Sequence, residues 1–160
     1  SNSIALTTAG LVGHAQSLSR TLVAELCLYE LKHGTSMTVK GAATLTANIL
    51  AGRPHYVQIL IVGVDDSGPS VYSIDSAGGS IPDIYCATGS GSPFMYGLLE
   101  DQFSEGMSQD EALKVAAKAL LASAQRDSAS GNGMDLAVIT SGDGFCLLSE
   151  DEVSTLLSGI

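Results

Sequence analysis

The sequence predicts an α+β fold in which antiparallel sheet is layered against pairs of helices. The elements come in blocks: one strand, two helices, a run of strands, two helices, two strands and a last helix. A doubly wound parallel sheet would instead require strict alternation. The chain has 160 residues, 45% of them apolar, and shows no repeat or linker, which suits a single domain over 1–160 with a full hydrophobic core.

Residues 4–8 read as a short strand that Ala9-Gly10-Leu11-Val12-Gly13 turns into a helix over 14–33. Leu18, Leu22, Leu26 and Tyr29 form its apolar stripe and Gly34 its stop. Ser36 is the expected cap of a second helix over 38–51, ended by Gly52 and Pro54, and the two helices should pack as a hairpin. Aliphatic and β-branched residues over 56–64, 70–74 and 80–88, separated by turn signals at 65–69 and 75–79, predict an antiparallel meander. Gly89-Ser90-Gly91-Ser92-Pro93 opens a helix over 93–103. A capping box of Ser108 and Glu111 opens another over 109–125, with Leu113, Ala117, Leu120, Leu121 and Ala124 facing a core. A hairpin of 134–140 and 145–148 follows, and a second capping box, Ser149 to Glu152, starts a short terminal helix.

Composition narrows the function. A net charge of -10 and the absence of Trp argue against nucleic acid and anionic membranes as partners. Cys27, Cys86 and Cys146 show no metal or redox spacing and read as reduced thiols. His14, His33 and His55 lack ligand spacing, so no metal or cofactor is expected. No apolar run is long enough to span a bilayer, and the N-terminus does not read as a signal peptide; a cytoplasmic protein is the expectation.

The best candidate for chemistry is the loop Arg126-Asp127-Ser128-Ala129-Ser130-Gly131, where small hydroxyls and one carboxylate hang from the end of a packed helix. Asp127 and Ser130 read either as a hydrogen-bonded pair supporting a nucleophile supplied from elsewhere or as an Asx-type turn closing the helix. The stretch 89–93 has the glycines of a phosphate-binding loop but neither the Walker Lys nor a third dinucleotide glycine, so a strand-to-helix turn fits it better. A triad of Ser90 or Ser130 with His14 and Asp127 has no nucleophile-elbow motif behind it. Ser1 as an N-terminal nucleophile competes with Ser1-Asn2-Ser3 as a linker scar or truncated loop.

Four ordered stretches carry a family resemblance. Ala9-Gly10-Leu11-Val12-Gly13-His14-Ala15-Gln16, Tyr72-Ser73-Ile74-Asp75-Ser76-Ala77-Gly78-Gly79, Thr88-Gly89-Ser90-Gly91-Ser92-Pro93-Phe94 and the loop 126–131 resemble an archaeal-type proteasome β subunit over nearly the whole chain. The resemblance implies the four-layer αββα sandwich of the N-terminal nucleophile hydrolases. It also implies a threonine-type endopeptidase that degrades unfolded polypeptides, working in homo-oligomeric seven-membered β rings stacked on α rings. By resemblance, Gly10 supplies an oxyanion N–H, while Ser90, Asp127 and Ser130 surround the amine of an N-terminal threonine. Thr8, Val12 and Gln16 match specificity-pocket walls, a mainly apolar floor that implies cleavage after hydrophobic residues, and Asp75 matches a residue reaching the cleft of a neighbouring subunit. His14 stands where an acidic residue is common in the family. The family's opening hairpin with threonine, aspartate and lysine has no counterpart before Ser1, so the first hairpin is expected to be missing and the chain as it stands to be inactive. A noncatalytic, structural β-like ring subunit is the alternative.

Overall fold

A computed structural model describes residues 3–53 and 55–160. The readings of Ser1 and Asn2 as nucleophile or scar, and of Pro54 as a helix stop, lie outside the described residues. The fold is α+β, and the chain divides into two compact units, Ser1–Gly89 with Ile139–Phe145, and Ser90–Val138 with Cys146–Ile160.

The first unit is built on an antiparallel sheet in the order β1-β2-β3-β4. Its strands are β1 (Ile4–Gly10), β2 (Val57–Asp65), β3 (Gly68–Ile74) and β4 (Ser80–Asp83). Helices α1 (Val12–His33) and α2 (Val39–Gly52) lie between β1 and β2 in the chain. Period-two burial along β2 sends Val57, Ile59 and Ile61 into a core shared with Leu18 and Leu22 of α1 and with Val39, Ala42, Ala43 and Leu50 of α2. Each fully buried isoleucine there contributes roughly 1.5–3 kcal/mol over an exposed one. Small residues let the layers approach: a Cβ on Gly63 would strike the Ser3 carbonyl and press on Val39 Cγ2 at 3.0 Å. The predicted helix pair and meander are both present.

The second unit holds α3 (Ser92–Gln102), α4 (Gln109–Arg126) and α5 (Glu150–Ser158). Helix α3 packs along α4. Ala117, Leu136 and Val153 form its buried centre, flanked by Leu113, Leu120 and Met134. Both predicted capping boxes form: Ser108 and Ser149 each accept from the N–H of the glutamate three residues on, and each glutamate accepts in return. Strands β5 (Ala137–Thr140) and β6 (Gly144–Leu147) pair as a separate two-stranded sheet.

Several boundaries differ from the sequence reading, each for a local reason. Thr38, not Ser36, caps α2, accepting from Gly41 N–H at 3.1 Å; the helix begins at Val39, and Ser36 Oγ instead donates to Glu30 at 3.4 Å. The strand expected over 80–88 stops at Asp83, whose own carboxylate takes the Ile84 N–H at 2.8 Å and turns the chain out of the ladder. Residues 134–136 do not join β5, because Met134 and Leu136 are drawn into the core of the second unit. Helix α4 buries Ala119 and Ser123 as well as Ala117, so its buried surface is wider than the predicted stripe.

Candidate active site

Asp127 ends α4, and its N–H still donates to the Ser123 carbonyl at 2.8 Å, so the rigid helix fixes where its carboxylate starts. One oxygen, Oδ1, accepts from Ala129 N–H at 3.2 Å, which is the Asx turn anticipated in the sequence. The other, Oδ2, accepts two hydroxyls, Ser90 Oγ at 2.6 Å and Ser130 Oγ at 2.7 Å. Ser90 reaches it from 37 positions away in the chain. The Asx turn and the hydrogen bond between Ser130 and Asp127 are therefore both present.

Proton counting fixes the direction of the network. A serine hydroxyl has one proton, and Ser130 gives its own to Asp127. The 2.9 Å bond between Ser123 and Ser130 must then be donated by Ser123, which is buried inside α4. Gly91 makes room for this: a Cβ there would collide with Ser123 Oγ and stand 3.0 Å from Ser130 Oγ. The hydroxyl bond from Ser90, then that from Ser130 and the Ala129 N–H, hold the Asp127 carboxyl below its ordinary value. At neutral pH the cluster is an anion whose serine oxygens retain only acceptor capacity toward a visitor. That arrangement suits a protonated amine. It suits a serine nucleophile poorly, because so weak a base cannot take the serine proton effectively.

The first unit carries a second group of predicted residues on one continuous stretch, the corner from β1 into α1. Gly10 ends β1 opposite Val57 with φ 124, a conformation that L side chains rarely adopt, and a Cβ there would run into the Tyr56 carbonyl. Thr8 lies in β1 opposite Ile59, and Val12 and Gln16 stand one turn apart on α1; all three are exposed. His14 Nδ1 accepts from the Tyr56 N–H at 3.0 Å. The imidazole is therefore the neutral tautomer with its proton on Nε2, engaged with backbone rather than with a serine.

Asp75 lies just after β3. Its Oδ1 accepts from Ala77 N–H at 2.8 Å and from Gly79 N–H at 2.9 Å, bonds that close the turn after β3 and lower its pKa, the Gly79 bond most.

Ser123, Gly91 and Tyr56 escaped the sequence reading. A serine on the packed side of α4 was the available signal for the first. The roles of Gly91 and Tyr56 come from long-range proximity and had none.

Comparison with known proteins gives the chain's family. Residues 1–139 match the family described as proteasome subunit. The chain is 47% identical over 159 residues to a proteasome subunit beta from Methanobrevibacter ruminantium, covering 99% of this chain and 76% of that protein. To the proteasome subunit beta of Thermoplasma acidophilum it is 49% identical over 153 residues, covering 94% and 72%. To that of Archaeoglobus profundus it is 47% identical over 161 residues, covering 98% and 74%.

Proposed function

The chain belongs to the proteasome subunit family, and from that membership we propose that it works as a β subunit of a proteasome core particle, a threonine-type endopeptidase. The observation that carries the chemistry is the Asp127 cluster. Its ionised carboxylate and proton-depleted serine oxygens form an acceptor surface for the α-ammonium of an N-terminal threonine, stabilising that amine and a nearby water. In this reading Ser90, Asp127 and Ser130 do not attack the substrate; they tune the group that does.

Gly10 N–H is assigned to the oxyanion of the tetrahedral intermediate, where a glycine corner leaves the backbone approachable. Thr8, Val12 and Gln16 are assigned to the walls of the specificity pocket, and Asp75 to a reach toward the cleft of a neighbouring subunit. The fold proposed for the whole chain is a single four-layer αββα domain. Seven-membered β rings stacked on α rings, with unfolded polypeptides as substrates, complete the proposal.

The test is made on the assembled particle containing the full chain. A threonine-directed covalent inhibitor should label an N-terminal threonine and abolish peptide hydrolysis. Asp127→Asn should lower turnover roughly 100-fold, within the range of proton-handling groups, while the particle retains its mass. An intact particle that neither hydrolyses peptide nor takes the label would make the chain a structural ring subunit.

A further inference from the structure

His14 stands in the first turn of α1, beside the corner that carries Gly10. The Tyr56 peptide is gripped from both sides by the corner between β1 and α1: its carbonyl accepts from Leu11 N–H at 2.9 Å, and its N–H donates to His14 Nδ1 at 3.0 Å. The same carbonyl occupies the space that a Cβ on Gly10 would need, so Gly10 is pressed against the gripped peptide at φ 124. The His14 and Tyr56 rings stack with centroids 5.9 Å apart and an 18° tilt, and the His55 ring packs edge-on to His14 at 5.3 Å. Yet Tyr56 is 75% exposed, so little hydrophobic burial holds that segment in place. The hydrogen bond that the Tyr56 N–H donates to His14 ties it to the corner.

We propose that His14 is a positioning residue for peptide hydrolysis: by accepting the Tyr56 N–H it locks the segment ahead of β2 onto the corner and fixes the direction of the Gly10 N–H. The inference rests on the assignment of Gly10 to the oxyanion. Its chemistry requires an acceptor at the Nδ1 position and no proton transfer. His14 touches no substrate atom in this role. A donor that points a few tenths of an ångström astray binds the developing charge less well, so the cost falls on turnover rather than on substrate affinity.

Two variants separate the acceptor from the ring. His14→Phe keeps an aromatic face for Tyr56 but has no acceptor, and His14→Asn keeps an acceptor near Nδ1 but loses the ring. Hydrolysis of a fluorogenic peptide by the assembled particle is measured for each, with amide hydrogen exchange at Leu11 and Tyr56. His14→Phe is expected to lower kcat roughly tenfold at nearly constant KM, and His14→Asn to stay within about threefold of the parent, as misorientation without lost contacts predicts. Exchange at Tyr56 should quicken in the phenylalanine variant alone. Parental kcat in His14→Phe, or equal losses in both variants, would overturn the acceptor role while leaving the peptidase reading intact. An inert parent particle would instead remove the peptidase reading, and the positioning role with it.

Discussion

Asp65 Oδ2 accepts the N–H of Val39 at 2.8 Å, so the end of β2 caps the first turn of α2 from 26 positions further along the chain. Its other oxygen takes the Ser67 N–H at 2.8 Å and shapes the turn into β3. One carboxylate thereby joins helix, strand and turn, while Thr38 satisfies only Gly41. Asp65→Ala should destabilise the protein by roughly 1–2 kcal/mol, more than Thr38→Ala, since it frees two backbone donors instead of one. Urea unfolding checks this, and equal midpoints for the two variants would contradict it.

Acid should weaken the fold in a definite window. Asp65, Asp75, Asp127, Glu111 and Glu152 all have pKa values lowered by hydrogen bonds: Asp65 chiefly from Val39, Asp75 from Gly79, Asp127 from Ser90, and the two glutamates from their capping serines. The unfolded chain takes up protons near the ordinary values of 3.8 and 4.5, before the folded chain does. Stability is therefore fully present above that range and is lost as pH falls through the lowered folded values. The melting temperature should hold from pH 7 to about 5 and drop below it. A flat profile down to pH 3 would show that these bonds do not distinguish folded from unfolded chain.

Gly91→Ala separates sterics from backbone strain. Gly91 sits at φ -83 and ψ -5, which alanine adopts freely, so the obstacle is steric: chiefly the collision with Ser123 Oγ, with Ser123 Cβ and Ser130 Oγ each 3.0 Å from the new Cβ. Overpacking of this kind costs about 1–3 kcal/mol. It should also displace Ser123 and Ser130 from Asp127 and reduce peptide hydrolysis. Adding Ser123→Ala removes the colliding oxygen and should restore part of the lost stability; no recovery in the double variant would place the obstacle elsewhere.

Burial and the nearby Asp83 push the Cys86 thiol up to about 11, so it stays protonated at pH 8. Cys27 and Cys146 are exposed. Alkylation of the isolated chain followed by mass spectrometry should modify those two well before Cys86. Early modification of Cys86 would contradict its placement.

What the sequence made legible was what neighbours in the chain decide. Ser108 with Glu111, Ser149 with Glu152, the stop at Gly34 and the two-residue rhythm of β2 depend on partners a few positions away. Asp127 was legible as a helix-ending carboxylate, and its tie to Ser90 entered through family resemblance. Asp65 as a helix cap and His14 as an acceptor were hidden, because their partners stand 26 and 42 positions off and no pattern of residue types announces them. Ser36 misled for the converse reason: it has the chemistry of a cap, but the helix starts at Val39.

The register of the first sheet also sets an order of events during synthesis. Ile4 pairs with Gly63 and Gly10 with Val57, whereas β2, β3 and β4 join their neighbours through short turns. At a ribosomal rate of about 5–20 residues per second, β1 waits roughly 3–12 s for its partner to be made. Among these four strands β1 thus waits longest for a neighbour to be made. During that interval Ile4 and Leu6, which end up against the core of α1 and α2, have not yet met β2. A nascent chain of this design is most in need of a chaperone before residue 63 has left the ribosome.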